Sequence, residues 1–154
     1  MVAADRKRKQ RGAWFTPGHL VDAVVAAVID EAFVASRDGR TLRILDPACG
    51  DGRFLTAAIA AVRRAGGEAT ALGIDIDPDT ADMVAISTEV DAICDDALSA
   101  SWLIERAGSF DLVIGNPPYL SQLAASTTRG GASTRGGGPY ADAAVEFLAL
   151  AADL

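Results

Sequence analysis

The sequence predicts an α/β fold with an open, parallel sheet. Short apolar runs, of the kind that form buried parallel strands, alternate along the chain with segments in which apolar residues recur at helical spacing. Several of these runs end in turns that carry glycine or aspartate. Regular alternation of strand and helix is typical of right-handed parallel α/β units, in which each helix crosses over to the next strand.

The individual elements follow this rhythm from the amino terminus onward. Residues 17–35 are predicted to form the first helix, because apolar side chains recur at helical spacing, Thr16 can cap and Pro17 can occupy an early position. Gly66 and Gly67 are predicted to end the helix over residues 54–65. The predicted strands are residues 42–45, 71–76, 90–94 and 110–114. The remaining predicted helices are residues 54–65, 78–85, 101–107 and 142–154.

The composition limits the classes of function. A chain of 154 residues, half of them hydrophobic, is about one domain with a real core. Its net charge of −7 has the wrong sign for a stand-alone binder of duplex DNA. Basic residues are concentrated in residues 1–11, which we interpret as an N-terminal arm that either touches phosphate or is simply solvated. Residues 121–139 are rich in Ser, Thr, Gly and Arg and are predicted to form a mobile loop.

The sequence also bears on the location of the protein in the cell and on metal binding. No apolar run is long enough to span a bilayer, and no apolar segment follows the basic start as it does in a secretory signal. We therefore expect a cytoplasmic protein with no membrane partner. Cys49 and Cys94 do not have the spacing of metal ligands, and His19 is the only histidine. We expect no metal site and two buried, reduced thiols.

The fourth predicted strand ends at Asn116-Pro117-Pro118-Tyr119. This tetrapeptide resembles the catalytic signature of the amino-group methyltransferases that use S-adenosylmethionine. The side-chain oxygen of Asn116 and the carbonyl of Pro117 can accept hydrogen bonds from an exocyclic amine and aim its lone pair at a methyl donor. Tyr119 then offers a flat face on which an extruded base can stack. Taken alone, the tetrapeptide is also compatible with an ordinary turn.

The loop after the first predicted strand is a candidate cofactor site. Gly50 and Gly52 allow the backbone to bend tightly and to approach a ligand, and ligands bind such sheets at the carboxyl ends of the strands. Asp46 and Asp51 would repel a pyrophosphate and suit a cationic ligand. S-adenosylmethionine carries a sulfonium and an ammonium, so the charge pattern favours it over NAD. Ala48 completes the segment that we assign to the cofactor.

Two further strand ends carry acidic residues. Asp75, at the end of the second predicted strand, is placed to hold ribose hydroxyls, and Ile76 would then lie against the adenine ring of the cofactor. Asp95 or Asp96, after the third strand, can accept a hydrogen bond from the adenine amino group. Each aspartate taken singly is also explained by a helix cap or an exposed loop charge. The order along the chain of the glycine-containing loop, the two acidic strand ends and the Asn-Pro-Pro-Tyr tetrapeptide is harder to explain without a cofactor.

Together these motifs resemble the gamma class of DNA adenine-N6 methyltransferases, which occur in bacterial restriction-modification and related defence systems. The resemblance covers residues 12–154 and implies a Rossmann-like, S-adenosylmethionine-dependent methyltransferase fold. It implies that Thr16, in a Phe-Thr-Pro segment, contacts the methionine end of the cofactor. It also favours Asp96 over Asp95 at the adenine position. Phe147 would pack near the cofactor adenine, and an ordinary core position explains this aromatic equally well.

The resemblance implies direct methyl transfer to an adenine flipped out of double-stranded DNA. Full members of the family continue with more strands and a target-recognition domain, so we expect residues 12–154 to be a catalytic domain truncated at its C-terminus. A second chain could then supply the missing parts. Two alternatives stay open: an N-methyltransferase of protein glutamine or ribosomal RNA guanine, and a non-catalytic cofactor-binding fragment. An NAD-binding domain is disfavoured because the required glycine spacing is absent.

Overall fold

The computed structural model describes residues 16–119 and 143–154. The predicted N-terminal arm and the predicted mobile loop lie outside the described residues. The helices are α1 (Gly18–Val28), α2 (Glu31–Ala35), α3 (Arg53–Arg64), α4 (Pro78–Ser87), α5 (Ser101–Ile104) and α6 (Ala143–Asp153). The strands are β1 (Leu42–Asp46), β2 (Ala69–Asp75), β3 (Asp91–Cys94) and β4 (Leu112–Val113). Within the two described stretches, no helix has both the length and the apolar character needed to cross a membrane.

The strands of the described residues form one parallel sheet in the order β3-β2-β1-β4. β1 is central and pairs with β2 from Leu42 opposite Ala69 to Asp46 opposite Gly73. The chain adds β2 and β3 on one side of β1 and then returns to the other side to form β4. This confirms the predicted open, parallel α/β fold. In such sheets, ligands bind in the crevice where the strand order reverses, which here lies between β1 and β4.

The hydrophobic core is centred on β1. Leu42, Ile44 and Leu45 are almost completely buried, as is typical of a parallel strand covered on both faces. α3 packs against β1 and β2, and α1 packs against α3. The two helices contribute apolar residues about one turn apart, so a continuous stripe faces inward. The buried residues of these helices are Val21, Val25, Phe54, Leu55, Ala58, Ile59, Ala61 and Val62.

The single helix predicted over residues 17–35 is wrong, because the structure divides this segment into α1 and α2. Asp30 has an extended backbone, and its carboxylate accepts a hydrogen bond from the Phe33 N–H at 2.7 Å, so it caps α2. The prediction that Thr16 caps the first helix is also wrong. Pro17 occupies the N-cap position of α1, and no side chain caps that end. The Thr16 hydroxyl has another partner, Asn116.

The two cysteines differ in exposure. Cys49 is buried, as predicted, but Cys94 is exposed, and both are free thiols. The prediction of two buried thiols is therefore wrong for Cys94. The physical reason is the position of β3 at the edge of the described sheet, where the strand has a neighbour on one side only.

The chain divides into two compact units. One unit, Thr16–Asn116 with Leu154, contains every strand of the described residues. The other contains Met1–Phe15 and Pro117–Asp153, of which residues 117–119 and α6 are described. Within α6, Leu150 and the acidic Glu146 are buried. The predicted boundaries of an arm over residues 1–11 and a catalytic domain over residues 12–154 stay predictions.

Candidate active site

The predicted site residues of the first unit lie at one edge of the sheet. Asp46 ends β1 and Asp75 ends β2, while Asn116 follows β4 after two residues. Because the strands are parallel, their carboxyl ends meet at the same edge. β4 pairs directly with β1, which brings the segment before Asn116 beside Asp46. The structure therefore brings together residues that are far apart in the sequence.

Asp46 is the buried carboxylate of this edge, with 2% of its surface exposed. One carboxylate oxygen accepts a hydrogen bond from the Ala48 N–H at 3.0 Å. Burial raises the pKa of Asp46 from 3.8 to about 7; the Ala48 hydrogen bond opposes this, and the nearby Asp75 carboxylate adds to it. A buried carboxylate that titrates near neutrality is a candidate functional group, and a cationic ligand would favour its charged form.

Gly115, in the segment that follows β4, lets the backbone approach the Asp46 side chain closely. A Cβ atom at this position would lie 2.6 Å from the Asp46 carboxyl carbon, which is closer than real Cβ contacts come. Only glycine therefore fits at this position, two residues after β4, without a shift of the backbone or of the Asp46 side chain. Sequence reasoning missed this requirement, although a glycine directly before Asn116 was visible as a signal.

The loop between β1 and α3, residues 47–52, is called the glycine loop because it carries Gly50 and Gly52. Asp75 connects this loop to the end of β2 through hydrogen bonds. One of its oxygens accepts a hydrogen bond from the Gly50 N–H at 3.0 Å, and the other accepts one from the Asp77 N–H at 2.8 Å. Gly50 and Gly52 both have positive φ angles, of 53° and 74°, which an L side chain rarely adopts. Since a carboxylate oxygen can accept more than one hydrogen bond, these bonds are compatible with additional donors from a ligand.

Cys49 lies inside the same loop and packs without a reactive role. Burial, followed by the neighbouring carboxylates of Asp46 and Asp75, raises the pKa of the Cys49 thiol. A thiol that stays protonated is a poor nucleophile. Cys49 therefore serves as a small apolar side chain under the loop.

The two aspartates after β3 have different partners. Asp95 accepts hydrogen bonds from the Trp102 indole N–H at 2.7 Å and from the Asp96 N–H at 2.8 Å, one on each oxygen. Asp96 accepts one from the Leu98 N–H at 3.2 Å, which is a turn-stabilising bond. Ile76, at the end of the neighbouring strand, has an exposed side chain. The structure thus gives Asp95 a structural role, which is compatible with Asp96 as the ligand-facing residue.

Asn116 is hydrogen-bonded to Thr16, which lies 100 residues earlier in the chain. The Asn116 side-chain nitrogen donates to the Thr16 hydroxyl oxygen at 3.0 Å. The sequence linked these two residues to the same reaction, but it did not predict their contact. Tyr119 is 63% exposed and Phe147 is half-buried, and both belong to the second unit.

Arg53 is a residue that sequence reasoning missed. Its guanidinium binds the Asp51 carboxylate, with the Nε atom 2.8 Å and 3.0 Å from the two oxygens, and it also donates to the backbone carbonyl of Thr16. From the sequence we predict that the Asp51 carboxylate suits a cationic ligand. In the structure this carboxylate is paired with Arg53. Asp46 and Asp75 are then the carboxylates beside the glycine loop that we assign to a cationic ligand.

Comparison with known proteins agrees with this geometry. The family model for N-6 DNA methylases matches residues 2–147. Over 117 residues the chain is 30% identical to the type II methyltransferase M.CvrRI of Paramecium bursaria Chlorella virus XZ-6E. This alignment covers 76% of the chain and 27% of that protein, so the chain spans about a quarter of its relative's length.

A solved structure supports the fold. A Listeria monocytogenes protein, whose crystal structure is assigned to the class I S-adenosylmethionine-dependent methyltransferases, superposes with a TM-score of 0.62. The match covers 89% of this chain and 42% of that protein at 20% identity, so it bears on the fold alone. The fold is Rossmann-like, as the resemblance implied. With the family match over nearly its whole length, the chain belongs to the N-6 DNA methylase family.

Proposed function

We propose that this chain carries the cofactor-binding and catalytic part of a cytoplasmic enzyme that methylates adenine N6 in double-stranded DNA, with S-adenosylmethionine as methyl donor. We place the enzyme in a restriction-modification or related defence system, as the family resemblance implies; the viral relative is named a type II methyltransferase. The observation that carries the proposal is the position of Asn116. Its carboxamide donates to the Thr16 hydroxyl just after the carboxyl end of β4, where the strand order reverses, and the preceding residue, Gly115, lies against the buried carboxylate of Asp46.

The residues of this edge fit the chemistry of S-adenosylmethionine. The cofactor presents a cationic methionine end and a ribose, and Asp46 and Asp75 are the carboxylates that would receive them. The backbone is open to a ligand at Gly50, where an added Cβ would meet no atom within 4 Å. When bound, the cofactor supplies an electrophilic methyl group. The residues that we assign to its binding are Asp46, Ala48, Gly50, Gly52, Asp75, Ile76, Asp96 and Phe147, and the family resemblance adds Thr16.

The chain's own contribution to the reaction is orientation. The amine of adenine is a weak nucleophile because its lone pair is delocalised into the ring. The side-chain oxygen of Asn116 and the carbonyl of Pro117 would accept its two N–H groups and turn the lone pair toward the methyl carbon. Tyr119 would stack on the flipped base, since its ring is exposed. No residue needs to form a covalent bond in this scheme.

DNA recognition requires more than the described residues offer. The chain's net charge of −7 provides little to neutralise a phosphate backbone. We therefore propose that target recognition and further strands come from additional sequence or from a second chain. The alternative of a non-catalytic cofactor-binding fragment would show the same binding without turnover.

The test combines a binding and a transfer measurement. The purified chain is titrated calorimetrically with S-adenosylmethionine, with NADH as control. It is then incubated with labelled cofactor and, in parallel reactions, with duplex DNA, ribosomal RNA or protein. We expect saturable binding of the first ligand only. We expect label in N6-methyladenine, detected by mass spectrometry, when the additional sequence or second chain that recognises DNA is also present. Label in ribosomal RNA guanine or protein glutamine would favour the alternative substrates. Binding of NADH alone would refute the assignment.

Two variants separate the roles of the site residues. Asn116→Ala should lower the transfer rate by at least about 100-fold and leave cofactor affinity unchanged, since the carboxamide acts on the amine. Asp75→Ala should weaken cofactor binding by about 10- to 100-fold, because charge-assisted hydrogen bonds are lost. The reverse pattern would contradict both assignments.

A further inference from the structure

The carboxamide of Asn116 must be held in one place to act on an amine. A carboxamide presents an acceptor oxygen on one side and a donor nitrogen on the other. The nitrogen of Asn116 donates to the Thr16 hydroxyl at 3.0 Å. Because the nitrogen and the oxygen are the two branches of one planar carboxamide, the side-chain oxygen points away from Thr16. A side chain anchored by its nitrogen therefore keeps its acceptor in a defined direction.

Thr16 is itself held by a charged side chain. The Arg53 guanidinium donates through Nη1 to the backbone carbonyl of Thr16 and through Nε and Nη2 to the carboxylate of Asp51. Arginine presents its donors in a rigid planar fork, so the bonds to Asp51 fix the direction of the bond to Thr16. The side chains of Arg53 and Asp51 are 36% and 23% exposed. Partial burial reduces the screening that weakens fully exposed pairs.

The contacts form one chain of hydrogen bonds from the glycine loop to the catalytic carboxamide. They run from Asp51, just before the start of α3, through Arg53 and Thr16 to Asn116. We propose that Thr16 and Arg53 are positioning residues that hold the Asn116 carboxamide in the direction required for the target amine. This inference rests on the proposed function for its chemical purpose, but the positioning itself is a property of the folded chain.

The proposal differs from the role that the family resemblance gives to Thr16. A residue that only contacts the methionine end of the cofactor would change cofactor affinity when altered. A positioning residue would change the behaviour of Asn116 and the rate of transfer while cofactor affinity stays constant. The two roles can therefore be separated by measurement.

The first readout does not need turnover. The side-chain amide signals of Asn116 are assigned in the ¹H–¹⁵N NMR spectrum of the 154-residue chain by their loss in Asn116→Ala. We expect Thr16→Val, which removes the hydroxyl at constant volume, to move these signals toward those of a free carboxamide and to accelerate their hydrogen exchange. Thr16→Ser, which keeps the hydroxyl, should retain the wild-type signals. Unchanged Asn116 signals in a folded Thr16→Val chain would overturn the proposal.

Arg53 has a matched control on the same helix. Arg63 binds Glu89 through two contacts of 2.7 Å, in a pair whose side chains are 55% and 48% exposed. Arg53→Met should shift the Asn116 signals, and Arg63→Met should not. If Thr16→Val does not fold, this pair of arginine variants decides the same question. Equal effects of Arg53→Met and Arg63→Met would show a general loss of stability and refute a positioning role.

The second readout is the split between rate and affinity. Once transfer by the wild-type protein is established, Thr16→Val should lower the single-turnover rate by about 10- to 100-fold, with cofactor affinity within about twofold of wild type. Thr16→Ser should recover most of the rate. A raised cofactor Kd with an unchanged rate at saturation would assign Thr16 to the cofactor alone. Absence of transfer in the wild type would count against the proposed function and leave the NMR result to judge the positioning role.

Discussion

Replacing Asp46 by asparagine should change how the stability of the protein depends on pH. Asparagine resembles the protonated carboxyl in shape and keeps an oxygen that can accept the Ala48 N–H, which Asp46 binds at 3.0 Å. It removes the negative charge that the folded chain buries almost completely, since 2% of Asp46 is exposed. The variant therefore isolates the free energy of burying this one charge.

The size of the effect follows from the pKa. Burial raises the pKa of Asp46 from 3.8 to about 7, so the folded state holds its proton more tightly than the unfolded state. The stability that protonation contributes is fully present below pH 3.8 and is lost as the pH rises to about 7. A shift of about three units, at about 1.4 kcal/mol per unit, corresponds to about 4 kcal/mol.

Urea unfolding of both proteins from about pH 4 to about pH 8 measures this difference. We expect the free energy of unfolding of Asp46→Asn to gain on that of the wild type by up to about 4 kcal/mol across the range. Asp82→Asn, at an exposed position of α4, controls for the loss of one surface charge. If the curves of Asp46→Asn and wild type run parallel, the buried Asp46 does not titrate in this window and the reasoning fails.

Two further predictions concern residues that flank β4, Gly115 after it and Asp111 before it. Gly115→Ala should lower the transfer rate by about 100-fold, because the added Cβ meets the Asp46 carboxyl and displaces Asn116; an unchanged rate in a folded variant would contradict the required close approach. Asp111→Ala should lower the free energy of unfolding by about 1 to 3 kcal/mol, since Asp111 accepts from the Arg40 guanidinium and from the Arg43 N–H. Burial would raise the pKa of Asp111, but these bonds outweigh it and lower the pKa, so the loss should shrink as the pH falls below 3.8 in urea unfolding.

Local patterns were sufficient for most of the elements. The strand over residues 42–45 is found as β1, which is one residue longer at its end. The helix over residues 54–65 is found as α3, which begins and ends one residue earlier. A short apolar run or a helical repeat carries its own signal within about ten residues, which explains this agreement. The first helix was predicted too long because the apolar spacing continues past Asp30, while the cap that interrupts it depends on one hydrogen bond.

Exposure was harder to predict than element type. Buried, reduced thiols are the default expectation for a cytoplasmic protein, yet Cys94 lies on the edge strand β3 and is exposed. Strand order decides which strand is an edge, and strand order is not written in the periodicity of any single segment.

The fold class can be read from the sequence alone, and so can the motifs that we assign to the chemistry: the glycine loop with Asp46, the acidic end of the second strand at Asp75, and the tetrapeptide that begins at Asn116. How these motifs meet depends on the tertiary structure. The return of the chain to place β4 beside β1 brings Gly115 against Asp46, and the fold of the first unit brings Thr16 to Asn116 across 100 residues. Such contacts depend on strand order and on hydrogen bonds between distant segments, whereas the signals in a sequence are local.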